Sequence, residues 1–78
     1  MKPGDLVRVW AYTRMWSSPM IFRHHDARVV AIKHVNSMGI IVSTQEPRYG
    51  TAAGPGWAFC LFSDGCGWLV MNDLERLP

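Results

Sequence analysis

The sequence predicts an all-β domain, and three observations carry that prediction. Short stretches of alternating or continuous apolar residues recur along the chain, and they are rich in β-branched and aromatic side chains. Clusters of Gly, Pro, Asn and Asp separate these stretches, as turns do. The chain has only 78 residues, so its strands must share one core. We therefore expect a single domain over residues 1–78, built as a small barrel or partly open roll.

The first half of the chain contains three predicted strands and one long loop. Alternation in DLVRVWAY predicts a strand over about residues 5–12. Residues 13–27 follow no clean period of 2 or 3.6 and predict a loop. ARVVAIKHV, residues 27–35, favours a strand through its β-branched content, while the absence of Pro and Gly leaves a short helix open. After the turn NSMG, a further strand is predicted over about residues 39–46.

The second half predicts a hairpin followed by a terminal turn. Residues 47–56 combine two prolines and three glycines in turn-forming order, which predicts an irregular loop. WAFCLF, residues 57–62, and CGWLVM, residues 66–71, then predict two strands joined by an Asp-Gly turn at 64 and 65. NDLERLP predicts one 3₁₀ or helical turn capped by its Asn or Asp, before its two leucines return to the core.

The hairpin register decides how Cys60 and Cys66 relate to each other. A two-residue turn at 64 and 65 places the two side chains on opposite faces of the hairpin. A three-residue turn at 63–65 places them on the same face, but diagonally rather than directly opposite. Neither arrangement favours a disulfide bond, so we expect two small packing residues with free thiols.

Four motifs occur along the chain in a distinctive order: KPGDLVRV, GIIVS, FCLFSDGCGWLV and NDLERL. In this order they resemble the SH3-like small β-barrels, and most closely the short barrels encoded by tailed bacteriophages. The resemblance covers about half of the chain, and residues 13–36 and 45–56 match no part of the pattern. It implies an SH3-like small barrel of about five strands with a terminal 3₁₀ or helical turn, acting as a minor virion component or as an accessory protein in the infected cell.

The resemblance does not extend to the peptide-binding motifs of signalling SH3 domains. Those domains carry an Ala-Leu-Tyr-Asp-Tyr stretch and a Trp-Trp pair, whereas this chain has VWAYTRMW and the single Trp57 in the corresponding places. The aromatic residues of the chain could still form a groove. Its members would be Tyr12, Trp16, Tyr49 and Trp57. Recognition of proline-rich peptides is nevertheless not expected.

Enzymatic and metal-dependent functions are not expected from the motifs. The chain has no Gly-x-Ser-x-Gly, no paired carboxylates near a histidine, and no lysine in GTAAGPG that would complete a phosphate loop. Zinc-type ligands are present at His24, His25, Asp26, Cys60 and Cys66. Their spacing fits no known zinc arrangement, because neighbouring residues of an extended segment point in opposite directions. We expect no enzyme activity, no cofactor and no metal.

Protein interaction is the function that the composition favours. Apolar residues make up 49% of a chain that is too small to bury all of them, and exposed apolar patches call for a protein partner or a second copy. The contact surface is expected in residues 14–25 and 47–57. Its candidate members are Arg14, Trp16, Met20, Phe22, Arg23, Tyr49 and Trp57.

Nucleic-acid binding is the alternative function. Residues 8–34 hold five basic side chains and one acidic one, and aromatic residues are interleaved with the basic ones. The candidate phosphate contacts are Arg8, Arg14, Arg23, Arg28 and Lys33. Two points weigh against this alternative: the net charge is only +2, and Trp10 is expected in the core of so small a domain.

The location is expected to be the cytoplasm of an infected host cell, or a virion. The sequence has no apolar run of the length that a membrane span needs, and its first residues do not form a signal peptide. Two cysteines are too few for a disulfide framework and fit a reducing compartment. No membrane partner and no small-molecule substrate are expected.

Overall fold

A computed structural model describes residues 1–18, 28–45 and 56–78 of the chain. These residues form an all-β structure, as the sequence predicts, with seven antiparallel strands in one open sheet. The strands are β1 (Leu6–Val9), β2 (Thr13–Trp16), β3 (Val29–Lys33), β4 (Met38–Gln45), β5 (Trp57–Phe62), β6 (Gly65–Val70) and β7 (Leu74–Arg76). A 3₁₀ turn, Met71–Asp73, connects β6 to β7. The described residues contain no helix with the length and apolar character needed to cross a bilayer.

The sheet places the first strand beside the last one. Its strand order is β3-β2-β6-β5-β4-β1-β7. Strands β4, β5 and β6 follow one another as a meander, and β1 lies between β4 and β7. The hairpin of β2 and β3 joins the sheet at β6, where Trp16 pairs with Trp68. Strands β3 and β7 therefore form the two edges of the described sheet.

One face of the sheet supplies the core. Alternate residues of each strand point inward, and the buried apolar set is Val7, Val9, Met15, Ile41, Ala58, Cys60, Phe62, Leu69 and Leu74. The core is tight where β2 crosses β6. A Cβ atom added at Gly67 would lie 2.5 Å from Cγ of Met15 and 3.0 Å from the carbonyl oxygen of Trp16. Only glycine therefore fits at this position without displacing a neighbour.

The prediction of a loop over residues 13–27 is wrong in its first part, which contains β2. Thr13 and Met15 are buried, whereas Arg14 points to the outer side. The alternation is hard to recognise in the sequence because the inward positions include a polar threonine and the outward ones an aromatic Trp16. Strand β7 also lies where only a terminal turn was predicted, so the described parts of the chain contain seven strands rather than about five.

The hairpin of β5 and β6 has a different register from either predicted one. Phe62 pairs with Gly65, so the turn is formed by Ser63 and Asp64 rather than by the Asp-Gly pair. Gly65 instead opens β6 with a φ of +148°, which side chains of L-residues rarely adopt. The register differs by two residues from the predicted two-residue turn. A shift by two residues keeps each side chain on the face that the two-residue turn predicted. Cys60 is buried, Cys66 is exposed, and both thiols are free.

Two predictions about the ends of strands are also corrected. Trp10 is 53% exposed rather than part of the core, and its indole N–H donates a hydrogen bond of 2.7 Å to the carbonyl oxygen of Asn72. The 3₁₀ turn has no side-chain cap. The carboxylate of Asp73 instead accepts a 2.6 Å hydrogen bond from the hydroxyl of Thr13, which joins the turn to the start of β2.

Candidate interaction surface

The outward side of β1, β4 and β5 carries exposed apolar side chains where a half-buried sheet usually carries polar ones. Leu6 pairs with Ile40, and Ile40 pairs in turn with Leu61 on the next strand. Cys66 continues this row onto β6. Directly opposed residues on one face of a sheet contact each other, so the row forms a continuous strip across four strands.

Two further apolar residues of β4 widen this strip. Met38 and Val42 flank Ile40 at alternate positions, and both are exposed. We call the five residues Leu6, Met38, Ile40, Val42 and Leu61 the outer apolar face. Part of it, together with Gly39, Phe62 and Ser63, lines an open depression of about 330 Å³. None of its five side chains is charged or polar.

A charged group borders the outer apolar face at β1. Arg8 pairs with Met38 in the sheet register, and its guanidinium donates hydrogen bonds to the side-chain oxygen of Asn36 and to the carboxylate of Glu75. The bond to Asn36 measures 2.6 Å. Asn36 itself has a φ of +75° in the turn before β4, a conformation that Asn tolerates better than most residues. The border is therefore neutralised by internal pairing.

Half-buried aromatic rings occupy the outward side of the sheet next to this face. Trp68 lies between Trp16 and Phe59 in the strand register, and the ring centroids of Phe59 and Trp68 are 5.3 Å apart at a tilt of 53°. Trp57 pairs with Val70, two residues further along the same two strands. These rings cover one another and reduce the exposed aromatic area at the centre of the outward side.

A second group of side chains follows the outward side of β2, with its first two members exposed and its last one half-buried. Tyr12, Arg14 and Trp16 occupy alternate positions and, with Thr13, line a depression of about 340 Å³. The ring of Tyr12 makes an edge contact with His34, with 5.5 Å between the ring centroids. We call Tyr12, Arg14 and Trp16 the β2 ladder.

The predicted partner-binding residues that the structure describes all point to the outward side of the sheet. Arg14 is exposed, while Trp16 and Trp57 are half-buried. The other four lie outside the described residues. They are Met20, Phe22, Arg23 and Tyr49.

The predicted phosphate contacts are not brought together on one surface. Lys33 is buried, with its ammonium 2.5 Å from the carboxylate of Asp64 and 4.4 Å from the centroid of the Phe62 ring. Arg8 is paired as described above. Arg23 lies outside the described residues, so Arg14 and Arg28 are the two members of the set that remain exposed and make no ion pair within the described parts of the chain.

Sequence reasoning did not identify the outer apolar face. A signal for it exists in GIIVS: a strand with one buried face should alternate apolar and polar residues, yet Ile40, Ile41 and Val42 are consecutive. Since Ile41 is buried, its two neighbours must point outward. Consecutive apolar residues on one strand of a one-sided sheet thus indicate an apolar outer surface.

The described residues contain no assembled group of metal ligands, and one of their two thiols is buried. Across residues 1–18, 28–45 and 56–78, no group of three His, Cys, Asp or Glu side chains is placed to hold a metal ion. Burial raises the pKa of the Cys60 thiol to about 12, so this thiol stays protonated at neutral pH and is a poor nucleophile. His24, His25 and Asp26, from which no metal site was expected, lie outside the described residues.

Comparisons with known proteins give no relative from which a role can be transferred. No family model matches the chain, and neither the curated proteins nor the solved structures contain a significant match.

Proposed function

We propose that this protein is a non-enzymatic protein-interaction module that self-associates through the outer apolar face. The observation that carries the proposal is the cross-strand row Leu6–Ile40–Leu61, which leaves apolar side chains exposed on three neighbouring strands. Burying such surface against another apolar surface is favourable by roughly 25 cal/mol per Å². The face therefore gains free energy when a partner covers it.

A second copy of the chain is the occupant that the chemistry of the face favours. A two-fold contact places the same patch on both sides, and an uncharged apolar patch needs no opposite charge on its partner. Polar atoms are also few there, so little hydrogen bonding to water is lost. Stable interfaces bury roughly 800 Å² on each partner, which is more than five partly exposed side chains supply. We therefore propose a weak, concentration-dependent dimer with a rim that includes Cys66.

We also propose, as the finer description of the fold, an SH3-like barrel. Supporting this is the order of the later elements: the meander of β4, β5 and β6, then the 3₁₀ turn, then β7 returning to pair with β1. NMR contacts across the strands between Val7 and Arg76 would test that return. An origin in a tailed bacteriophage, as a minor virion or accessory protein, remains a proposal supported by the four sequence motifs.

The test of self-association uses two matched isoleucines. Ile40 on β4 and Ile32 on edge strand β3 are 45% and 44% exposed, respectively, but only Ile40 belongs to the outer apolar face. Sedimentation equilibrium of the full chain, from micromolar to millimolar concentration, should show a mass that rises toward that of a dimer. Ile40→Lys should keep the chain monomeric because a buried ammonium is costly, whereas Ile32→Lys should leave the dimerisation constant unchanged.

Two results would contradict the proposal. One is a monomer mass for the unmodified chain at every concentration. The other is an equal weakening by Ile40→Lys and Ile32→Lys, which would indicate a general effect of added charge. Thermal melting of each variant confirms that it is folded before its mass is interpreted.

A further inference from the structure

We propose that the β2 ladder binds single-stranded nucleic acid, with bases stacking on Tyr12 and Trp16 and with Arg14 between them. This site lies on the outward side of β2 and shares no residue with the outer apolar face, so it is independent of self-association. It also differs from the basic segment considered in the sequence, because Lys33 and Arg8 are paired internally.

The strand geometry sets the spacing of the ladder. Alternate side chains on one face of a strand are separated by roughly 6.6 to 6.8 Å. Thr13 and Met15 are buried and hold β2 in one orientation, so Tyr12, Arg14 and Trp16 converge on the same depression of about 340 Å³. The hydroxyl of Thr13, bonded to Asp73, further anchors the strand.

This spacing favours a single strand over a duplex. Stacked bases in a duplex repeat every 3.4 Å or so along each strand, and the ladder repeats at about twice that distance. Bases that stack on successive positions of the ladder must therefore be separated from each other. A single strand separates its bases at low cost, whereas a duplex would have to lose base pairs.

Tyr12 and Arg14 are the exposed members of the ladder, and Trp16 is half-buried at its end. Tyr12 is 62% exposed, and its ring contacts His34 in a T-shaped arrangement. Aromatic faces accept any base, and a guanidinium plane can stack on a base or bond a phosphate. Arg14 is exposed and makes no ion pair within the described parts of the chain.

A second cation lies at the far end of the ladder. The backbone N–H of Ser17 donates to the carbonyl oxygen of Arg28 at 2.8 Å, and the backbone N–H of Arg28 donates to the hydroxyl oxygen of Ser17 at 2.9 Å. These two bonds hold the backbone of exposed Arg28 beside the residue that follows Trp16. The ladder and Arg28 together supply two positive charges for a phosphate backbone, which makes the surface complementary to a polyanion.

The experiment measures anisotropy of a labelled oligothymidine of about 12 nucleotides, a length within the site sizes of small barrels. The full chain is used at concentrations below the onset of self-association. Two phosphate contacts predict that log K falls with log salt at a slope of about −1.4. A duplex of equal length should bind more weakly than the single strand.

Matched variants test the residues. Arg14→Gln should weaken binding and reduce the slope by about 0.7. Arg76→Gln removes the same charge from an exposed position on β7 and should change neither quantity by as much. Tyr12→Ser should weaken binding roughly 5- to 100-fold, and Tyr12→Phe should restore most of it because the ring is kept. Tyr12 is exposed, so these two variants are expected to fold.

Three outcomes would overturn the inference. The first is no binding of the oligonucleotide at low salt. The second is an equal effect of Arg14→Gln and Arg76→Gln on binding, which would show that binding depends only on the net charge of the protein. The third is binding of a proline-rich peptide that Tyr12→Ser abolishes, in the absence of any oligonucleotide binding; this result would assign the ladder to peptide recognition.

Discussion

The ammonium of Lys33 lies 2.5 Å from a carboxylate oxygen of Asp64 and joins edge strand β3 to the turn between β5 and β6. Strand β2 lies between β3 and β6 in the sheet, so the pair reaches across one intervening strand. Lys33 is buried while Asp64 is exposed. The buried charge is stabilised by this carboxylate and by the face of the Phe62 ring.

The Lys33–Asp64 pair predicts a loss of stability in acid. The hydrogen bond from the Lys33 side chain, followed by one from the backbone of Asp64, holds the pKa of the Asp64 carboxyl below its ordinary value of 3.8. Because the folded-state pKa is lowered, the contribution of the pair is present above about pH 3.8 and is lost as the pH falls through the lowered value. Thermal melting from pH 7 to pH 2 should show this decline.

Two variants isolate the contribution of the pair. Asp64→Asn should lower the melting temperature at pH 7 and flatten its decline in acid, because the titrating group is gone. Asp5, whose pKa is also lowered, by its hydrogen bond from Lys2, provides the control: in Asp5→Asn the acid decline due to Asp64 should persist. An unchanged pH profile in Asp64→Asn would contradict the assignment.

Gly67→Ala should destabilise the protein by about 1 to 3 kcal/mol through overpacking. The added methyl would meet Cγ of Met15 at 2.5 Å. For a domain of this size, each kcal/mol lowers the melting temperature by roughly 4 to 8 °C. In a Met15→Ala background the same change should cost less, since the clashing atom is absent. Equal costs in both backgrounds would contradict this contact as the cause.

Thr13→Val should destabilise the protein by about 1 to 2 kcal/mol because the hydrogen bond to the Asp73 carboxylate is lost at a buried position. Valine keeps the branched shape of threonine, so the loss of stability measures the contribution of the hydroxyl group. Thr13→Ser keeps the hydroxyl and serves as the control. Denaturant unfolding measures both, and a Thr13→Ser variant less stable than Thr13→Val would show that the methyl group matters more than the bond.

The two cysteines should react with thiol reagents at very different rates. Cys66 is exposed, whereas Cys60 is buried and its pKa is raised to about 12. Mass spectrometry after brief exposure to a thiol reagent should show one modification in the native chain and two in denaturant. Cys66→Ser should remove the native reaction. Modification of Cys60 under native conditions at a similar rate would contradict its burial.

The strand pattern was predictable where one face alone is apolar or where turn residues mark the ends. Strands β1, β3 and β5 lie within the predicted segments, and β4 and β6 each begin one residue before theirs. The hairpin register was not predictable because Gly65 uses its unusual φ at the start of β6 rather than in the turn. Cys60 and Cys66 still lie on opposite faces, as the two-residue turn predicted and the three-residue turn did not, because a register error of two residues preserves the alternation of side chains.

The surface was harder to predict than the strands because side-chain type misleads on both sides of the sheet. Trp10 points outward and hydrogen-bonds a carbonyl oxygen, whereas Lys33 points inward to a carboxylate. The tryptophan is thus exposed and the lysine is buried, which is the reverse of what their side-chain types suggest. Only contacts between residues distant in sequence reveal this, as between Lys33 and Asp64.

The pairing of β1 with β7 has a kinetic consequence. Strands β5 and β6 are joined by a two-residue turn, so they can meet soon after collapse begins. Arg8 and Glu75 are 67 residues apart, and closing so long a segment carries a large entropic cost before any contact repays it. We expect the hairpin of β5 and β6 to form early and the pairing of β1 with β7 to form last. Until then, β1 has one unpaired edge that is open to other chains.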